Sequence, residues 1–249
     1  MPRPRLDQAL VERGFFAIRE KAQRAILAGQ VRVGGRLAQK PSDPVKPDDE
    51  LLLAEPERYV SRGGYKLEHG LRHFQVETQG VTAIDLGAST GGFTDCLLQQ
   101  GAALVYAVDV GRGQLAWKLR RDPRVVVMEK TNARHLTSAQ FPPPFSPAQL
   151  AVIDCSFISL RNILPDAIAL LRLDGKIIAL IKPQFEAGKA EADKGRGVIS
   201  DPAVHERVLG ELQEFVRTRS GLRWQGVVES PLLGPAGNRE FLALIEKTS

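Results

Sequence analysis

Cysteine is nearly absent from this 249-residue chain, which holds only Cys96 and Cys155. They form no C-x-x-C and no cluster with histidine, so a disulfide framework and a structural zinc site are not expected, and a reduced, cytoplasmic setting is. Long apolar runs are missing too. None approaches the ~20 residues that span a bilayer, and the amino terminus, Met1-Pro-Arg-Pro-Arg-Leu-Asp7, is polar, which argues against secretion and insertion. What remains is the composition of an ordinary globular protein, 43% hydrophobic and 25% charged. At this length that provides one sizeable α/β domain with a small appendage.

The net charge of +5 is unevenly placed. Residues 1–40 carry nine Lys/Arg (Arg3, Arg5, Arg13, Arg19, Lys21, Arg24, Arg32, Arg36, Lys40) against Asp7, Glu12 and Glu20, leaving the other 209 residues near neutral. A basic module joined to a near-neutral one points to a polyanion gripped by the first part and handled by the second.

The rest is organised around Asp85-Leu-Gly-Ala-Ser-Thr-Gly-Gly-Phe-Thr-Asp95. Val81–Ile84 reads as a buried strand, and the residues from Phe93 to Gln100 repeat at helical spacing, so the glycines occupy a strand-to-helix turn. Glycine there lets a ligand approach the backbone, and the helix start offers free N–H groups. Leu104–Val108 is a second strand, ending in Asp109, an acid suited to a ribose diol. The turn lacks the G-x-G-x-x-G of a nicotinamide site and the Gly-Lys-Ser/Thr of a P-loop. Its D-x-G-x-x-x-G-G with a distal Asp fits S-adenosylmethionine better than NAD or ATP.

Toward the amino terminus, Leu6, Ala9 and Leu10 recur at helical spacing up to Gly14, and Ala22, Ala25 and Ile26 up to Gly29. Strands follow at Gln30–Val33, after the Gly34-Gly35 turn at Arg36–Ala38, and at Glu50–Leu53. The run R-L-D-x-A-L-V-x-x-G, then A-x-x-x-I-x-x-G-x-V-x-V-x-G, resembles the S4-type RNA-binding fold. That resemblance implies RNA contacts from Arg3, Arg5, Arg19, Lys21, Arg24 and Arg36. Its usual Ser-Arg is Ile18-Arg19 here. A boundary near residue 60 divides the chain into 1–60 and 61–249.

Beyond it, Arg62–Phe74 reads as a helix with Lys66 in its first turn, where a cation opposes the helix dipole. Strands at Val125–Glu129, Leu150–Asp154 and Lys176–Lys182 alternate with helices. Asp201-Pro202 opens a helix to about Gly221, and strands at Leu222–Glu229 and Glu240–Ile245 close the chain. The order predicts an α/β fold: a Rossmann-like, class I methyltransferase sheet ending in an antiparallel hairpin, preceded by the small α+β module. Lys66, Asp154, Lys182 and Glu240 all fall where one edge of that sheet should lie.

Six segments then occur in order: Ser61-Arg-Gly-Gly-Tyr-Lys-Leu67, the Asp85–Asp95 turn, Asp109-Val-Gly-x-Gly-Gln-Leu-Ala-Trp117, Asp154-Cys-Ser-Phe-Ile-Ser-Leu160, Ile181-Lys-Pro-Gln-Phe-Glu-Ala-Gly-Lys189 and Gly237-Asn-x-Glu-Phe-Leu242. Together they resemble the TlyA family of S-adenosylmethionine-dependent rRNA 2′-O-methyltransferases, also labelled hemolysin A. The resemblance implies an FtsJ-like Lys-Asp-Lys-Glu tetrad, Lys66, Asp154, Lys182 and Glu240, and cytidines of 16S and 23S rRNA, read within 30S or 50S subunits, as targets. A ribose 2′-hydroxyl is a weak nucleophile and needs in-line placement and help with its proton. Lys182 is expected to take that proton, Lys66 to steady the alkoxide, and the two acids to orient the lysines. Asp85, Gly87, Ser89, Thr90, Gly91, Asp109 and Asn132 are the expected cofactor contacts, with Asp109 at the ribose and Asn132 at the adenine or forming a turn. Phe185–Gly197 reads as a mobile basic loop whose Lys189, Lys194 and Arg196 grip RNA phosphate.

Other activities compete with this reading. A cytolysin requires an amphipathic or spanning segment that is not found, and an RNA-binding protein without catalysis leaves the glycines and the tetrad unexplained. A base N-methyltransferase usually carries N/D-P-P-F/Y where this chain has Asp154-Cys-Ser-Phe. Cys155 lacks the Pro-Cys context of a C5 nucleophile and reads as packing.

Overall fold

The structure, a computed structural model, describes all residues except 1, 2, 54–56, 189, 190, 192, 194 and 249. The chain divides into two compact units, Met1–Arg58 and Tyr59–Ser249. The division lies before Tyr59, ahead of the expected position at residue 60, because the Tyr59 ring is buried in the core of the second unit. It packs edge-on to Tyr65 at 5.1 Å between ring centroids. Gly64 lies against the same ring, where a Cβ would overlap it.

In the first unit, α1 (Leu6–Glu12) and α2 (Arg19–Leu27) pack over a small sheet of β1 (Val31–Val33), β2 (Arg36–Leu37) and β3 (Leu51–Leu53), ordered β2-β1-β3. Leu6, Leu10, Ala22, Ile26, Val31 and Val45 form its core. Helical spacing puts the first four on facing helix stripes. The β1–β2 connection is Gly34-Gly35, both at positive φ (54° and 77°), the conformation that a tight antiparallel hairpin demands and that glycine adopts without strain.

In the second unit α3 (Gly63–His73) precedes a strand-helix alternation: β4 (Thr82–Leu86), α4 (Gly92–Gln99), β5 (Leu104–Val108), α5 (Trp117–Arg120), β6 (Val125–Met128), β7 (Ala148–Ile153), α6 (Leu164–Ala169), β8 (Leu171–Ile181) and α7 (Pro183–Glu186). The chain closes with α8 (Pro202–Arg217), β9 (Leu222–Glu229) and β10 (Phe241–Lys247). The sheet order among the described residues is β6-β5-β4-β7-β8-β10-β9. Strands β4 to β8 run parallel, and β10 enters antiparallel between β8 and β9. Apolar clusters cover both faces, as a doubly wound sheet requires. The expected hairpin is present, and its second strand pairs with the main sheet.

Two features were not expected from the sequence. The short helices α5 and α6 have too few residues to establish a period. Strand β8 starts at Leu171, before the expected Lys176, because its pairing with β7 shifts register between Ala148 and Leu150 and takes in the extra residues. Helix α8 is capped by Asp201, whose side chain accepts from Ala203 N at 2.9 Å, with Pro202 in its first turn.

Candidate active site

Chain order reverses across the sheet between β4 and β7, and ligands of such folds sit outside the carboxyl ends of the strands at that point. Gly87 follows β4 and Asp154 follows β7. The two backbones run so close that a Cβ on Gly87, which sits at φ +88°, would lie 2.8 Å from the Asp154 carbonyl oxygen. Gly91, at φ +96°, caps α4 in the left-handed region. Close packing is what requires glycine here, with Gly87 against the Asp154 backbone and Gly91 against the Leu119 side chain, while the first N–H groups of α4 have no partner within the helix.

Two adjoining cavities open at this edge, of about 820 and 440 Å³. Gly87, Ser89, Asp154, Ser156 and Phe157 line both. The smaller holds Asp109, Gln114 and Asn132 among the apolar side chains Val108, Val110, Ile158 and Ile163. Asp109 is fixed by two backbone donors, Ser89 N at 2.8 Å and Gly111 N at 2.6 Å, which leaves each carboxylate oxygen room to accept again. Asn132 accepts from Arg134 N at 2.9 Å through Oδ1, so it forms a turn while facing the cavity. An apolar slot with a pre-held carboxylate and a glycine cradle beside it fits a nucleoside bearing an aliphatic tail.

The larger cavity collects Lys66, Asp154, Lys182 and Glu240 from four separate elements. Lys66 pairs with Glu240, and both side chains are almost wholly buried, at 7% and 1% exposure. Lys182 Nζ lies 2.6 Å from Asp154 Oδ1 and donates to Ser156 Oγ at 2.9 Å. At 2.6 Å Lys182 and Asp154 form a close ion pair at the cavity wall. Glu240 is held by the preceding loop, where buried Asn238 donates to Gly197 O and accepts from Ile199 N, each at 2.8 Å.

Three of the expected cofactor residues, Gly87, Ser89 and Thr90, line the larger cavity, and Asp109 and Asn132 line the smaller. Asp85 and Gly91 are on neither wall. Asp85 lies beneath the turn, completely buried, accepting from Thr94 Oγ at 2.6 Å. Burial pushes its carboxyl up to about 7, against the hydrogen bond from Thr94 and with the help of nearby Asp154.

The expected RNA-binding residues divide in two. Arg3, Lys21, Arg24, Arg36 and Arg196 are exposed, while Lys189 and Lys194 lie outside the described residues. Arg5 and Arg19 are half-exposed and tied to Asp7, which is fully buried in the first unit. Arg5 Nε donates to Asp7 Oδ1 at 3.1 Å, and Arg19 Nη2 and Gln23 Nε2 reach Oδ2 at 2.9 and 2.7 Å. Those donors hold the Asp7 carboxyl well below the ordinary range despite its burial.

Some cavity residues had no predicted role. Phe157 is 90% exposed at φ +65° and lies 5.1 Å from the Phe185 ring. Gln184 also lines the larger cavity. Glu186 clamps the two segments, accepting from Ser159 Oγ at 2.6 Å and Leu160 N at 2.7 Å. Phe157 and Gln184 lie within segments already singled out, beside Asp154 and Lys182, but a neutral side chain carries no signal of its direction.

Comparison with known proteins places the two units in known families. Residues 59–247 match the FtsJ-like methyltransferase family and residues 4–51 the S4 domain. The chain is 50% identical over 239 residues to YqxC of Bacillus subtilis (strain 168), which carries a provisional rRNA methyltransferase name, covering 96% of this chain and 84% of that one. It is 45% identical over 243 residues to the 16S/23S rRNA (cytidine-2′-O)-methyltransferase TlyA of Mycobacterium tuberculosis (strain ATCC 25618 / H37Rv), covering 96% and 88%. A solved structure from Streptococcus thermophilus bearing the hemolysin name is 45% identical, with a TM-score of 0.75, covering 100% of this chain and 90% of that one. No helix among the described residues is long and apolar enough to cross a membrane.

Proposed function

Because the chain belongs to the FtsJ-like methyltransferase family and carries an S4 domain ahead of it, we propose that it methylates the ribose 2′-hydroxyl of cytidine in 16S or 23S rRNA, using S-adenosylmethionine. The observation that carries this reading is the larger cavity, which brings both lysine–carboxylate pairs to the glycine turn.

S-adenosylmethionine, when bound, supplies an electrophilic methyl group on a sulfonium. The Gly87–Gly92 backbone would hold its methionine end, Asp109 its ribose diol and the apolar slot around Asn132 its adenine. Lys182, set between Asp154 and Ser156, would accept the 2′-hydroxyl proton as the oxygen bonds the methyl group, the methyl–sulfur bond breaking with its electron pair left on sulfur. Asp154 fixes the Lys182 head, and Lys66, locked to Glu240, places a second positive charge beside the oxygen. A nucleotide must leave its stack to reach this depth, and the Phe157 and Phe185 rings offer its base a face to lie against. Lys21, Arg24 and Arg36 in the first unit supply phosphate contacts, with Lys189 and Arg196 in the second.

The test is transfer of labelled methyl from S-adenosylmethionine to separated, unmodified 30S and 50S subunits, with Lys182→Ala alongside. The expected result is label on a ribose 2′-oxygen that falls by about 100-fold or more in the variant, with cofactor affinity retained. Label on a base, or none on either subunit, refutes the reading.

A further inference from the structure

One polar atom in the larger cavity is not used by the tetrad or by the cofactor turn. Gln184 Oε1 is buried and, among the described residues, has no hydrogen-bond partner, and Gln184 is one of the residues that line the cavity. A buried carbonyl oxygen left without a donor destabilises the fold, so a donor arriving with a ligand would be favoured there. The lysine two residues earlier does not supply it, since Lys182 Nζ is engaged with Asp154 and Ser156. The residue directly after is Phe185, whose ring with that of Phe157 forms the aromatic wall.

Resting on the function proposed above, we infer that Gln184 reads the target base, its amide oxygen accepting from the exocyclic amine of cytosine. The amine is the hydrogen-bond donor of that base edge, and uracil presents a carbonyl oxygen in its place. Two acceptors would then face each other, and a site built to bond a polar group rejects an analogue lacking it far better than an apolar wall can. The rings hold any pyrimidine by its face, and Gln184 makes the choice between pyrimidines.

The experiment uses the full chain and subunits carrying either cytidine or uridine at the nucleotide that the wild type methylates. The wild type should favour cytidine by about 30-fold in kcat/KM. Gln184→Met, of similar length without the acceptor, should lose about that factor on cytidine, keep its uridine rate within about threefold and bind S-adenosylmethionine normally. An unchanged cytidine preference in Gln184→Met overturns the inference, as does a wild type that prefers uridine. Loss of cofactor affinity by more than about tenfold also overturns it, since Gln184 would then belong to the cofactor. If Gln184→Met does not fold, Gln184→Glu decides: it still accepts from the amine and should keep the cytidine preference, and loss of that preference counts against the assignment. A wild type that methylates neither subunit removes the parent function instead, and this inference with it.

Discussion

Asp7 and Asp154 are both carboxylates pressed against cations, one in the small basic unit and the other at the sheet edge of the larger unit. Asp7 is enclosed by Arg5, Arg19 and Gln23, which engage both of its oxygens. Asp154 meets one lysine through Oδ1, and its side chain keeps 25% of its surface exposed at the cavity, where that of Asp7 keeps none. A buried charge whose lone pairs are all engaged has committed its bonding capacity to the fold. One with capacity left over is set up for a group that arrives later.

The largest effect that sharpens this contrast should come from Asp154→Asn. Methyl transfer should fall by about 100-fold or more, while the melting temperature moves by about 2 °C or less. Unfolding of this variant, measured by calorimetry, would make Asp154 as structural as Asp7 and break the comparison. Asp7→Ala should behave in the opposite way, costing about 2 kcal/mol in urea denaturation with affinity for S-adenosylmethionine unchanged. Because the folded Asp7 carboxyl is held below its ordinary value, its contribution is present above that value, about 3.9, and is lost as the pH falls below it. An Asp7→Ala protein of wild-type stability at neutral pH would show that the arginines contribute nothing to the fold.

Asp85 lies between the two cases, with Thr94 on one oxygen and, among the described residues, nothing on the other. Its folded value is raised to about 7, so the native state holds a proton that the unfolded chain gives up near pH 4. Stability should therefore fall as the pH rises from about 4 to about 7 and level off above, by an amount on the order of 1 kcal/mol or more. Asp85→Asn should flatten that slope in denaturation curves taken across the window. A slope unchanged in the variant would show that Asp85 is ionised in the fold.

The smallest effect belongs to the exposed cations of the first unit. Lys21→Ala and Arg24→Ala should each weaken RNA binding a few-fold and reduce the slope of log K against log salt by about 1. Neither should alter unfolding. A slope that stays put in both would remove them from the RNA contact surface.

Much of this was legible in sequence because the signals are local. The helices carrying Leu6, Leu10, Ala22 and Ile26 declare themselves by spacing, the hairpin by Gly34-Gly35, and the turn between β4 and α4 by glycines set between an apolar strand and an apolar helix. Arg5 and Arg19 show the limit of such reading. As sequence they are two more basic residues in a basic segment, and only the buried Asp7 between them gives them work inside the fold. Phe157 shows the same limit from the other side, since its near-complete exposure depends on a backbone angle that no neighbouring residue announces.

By itself, then, the sequence determined the two-part organisation, the alternation of strands and helices, and the identities of the charged residues at the strand ends, because each follows from periodicity or from the chemistry of one side chain. Only the tertiary structure decided which charges meet. Lys66 and Glu240 are 174 residues apart in the chain, and their pairing follows from β10 entering the sheet beside β8. The same insertion sets the loop before β10 over the cavity that Gln184 lines. Long-range strand order is a property of the whole packed sheet, and no local segment encodes it.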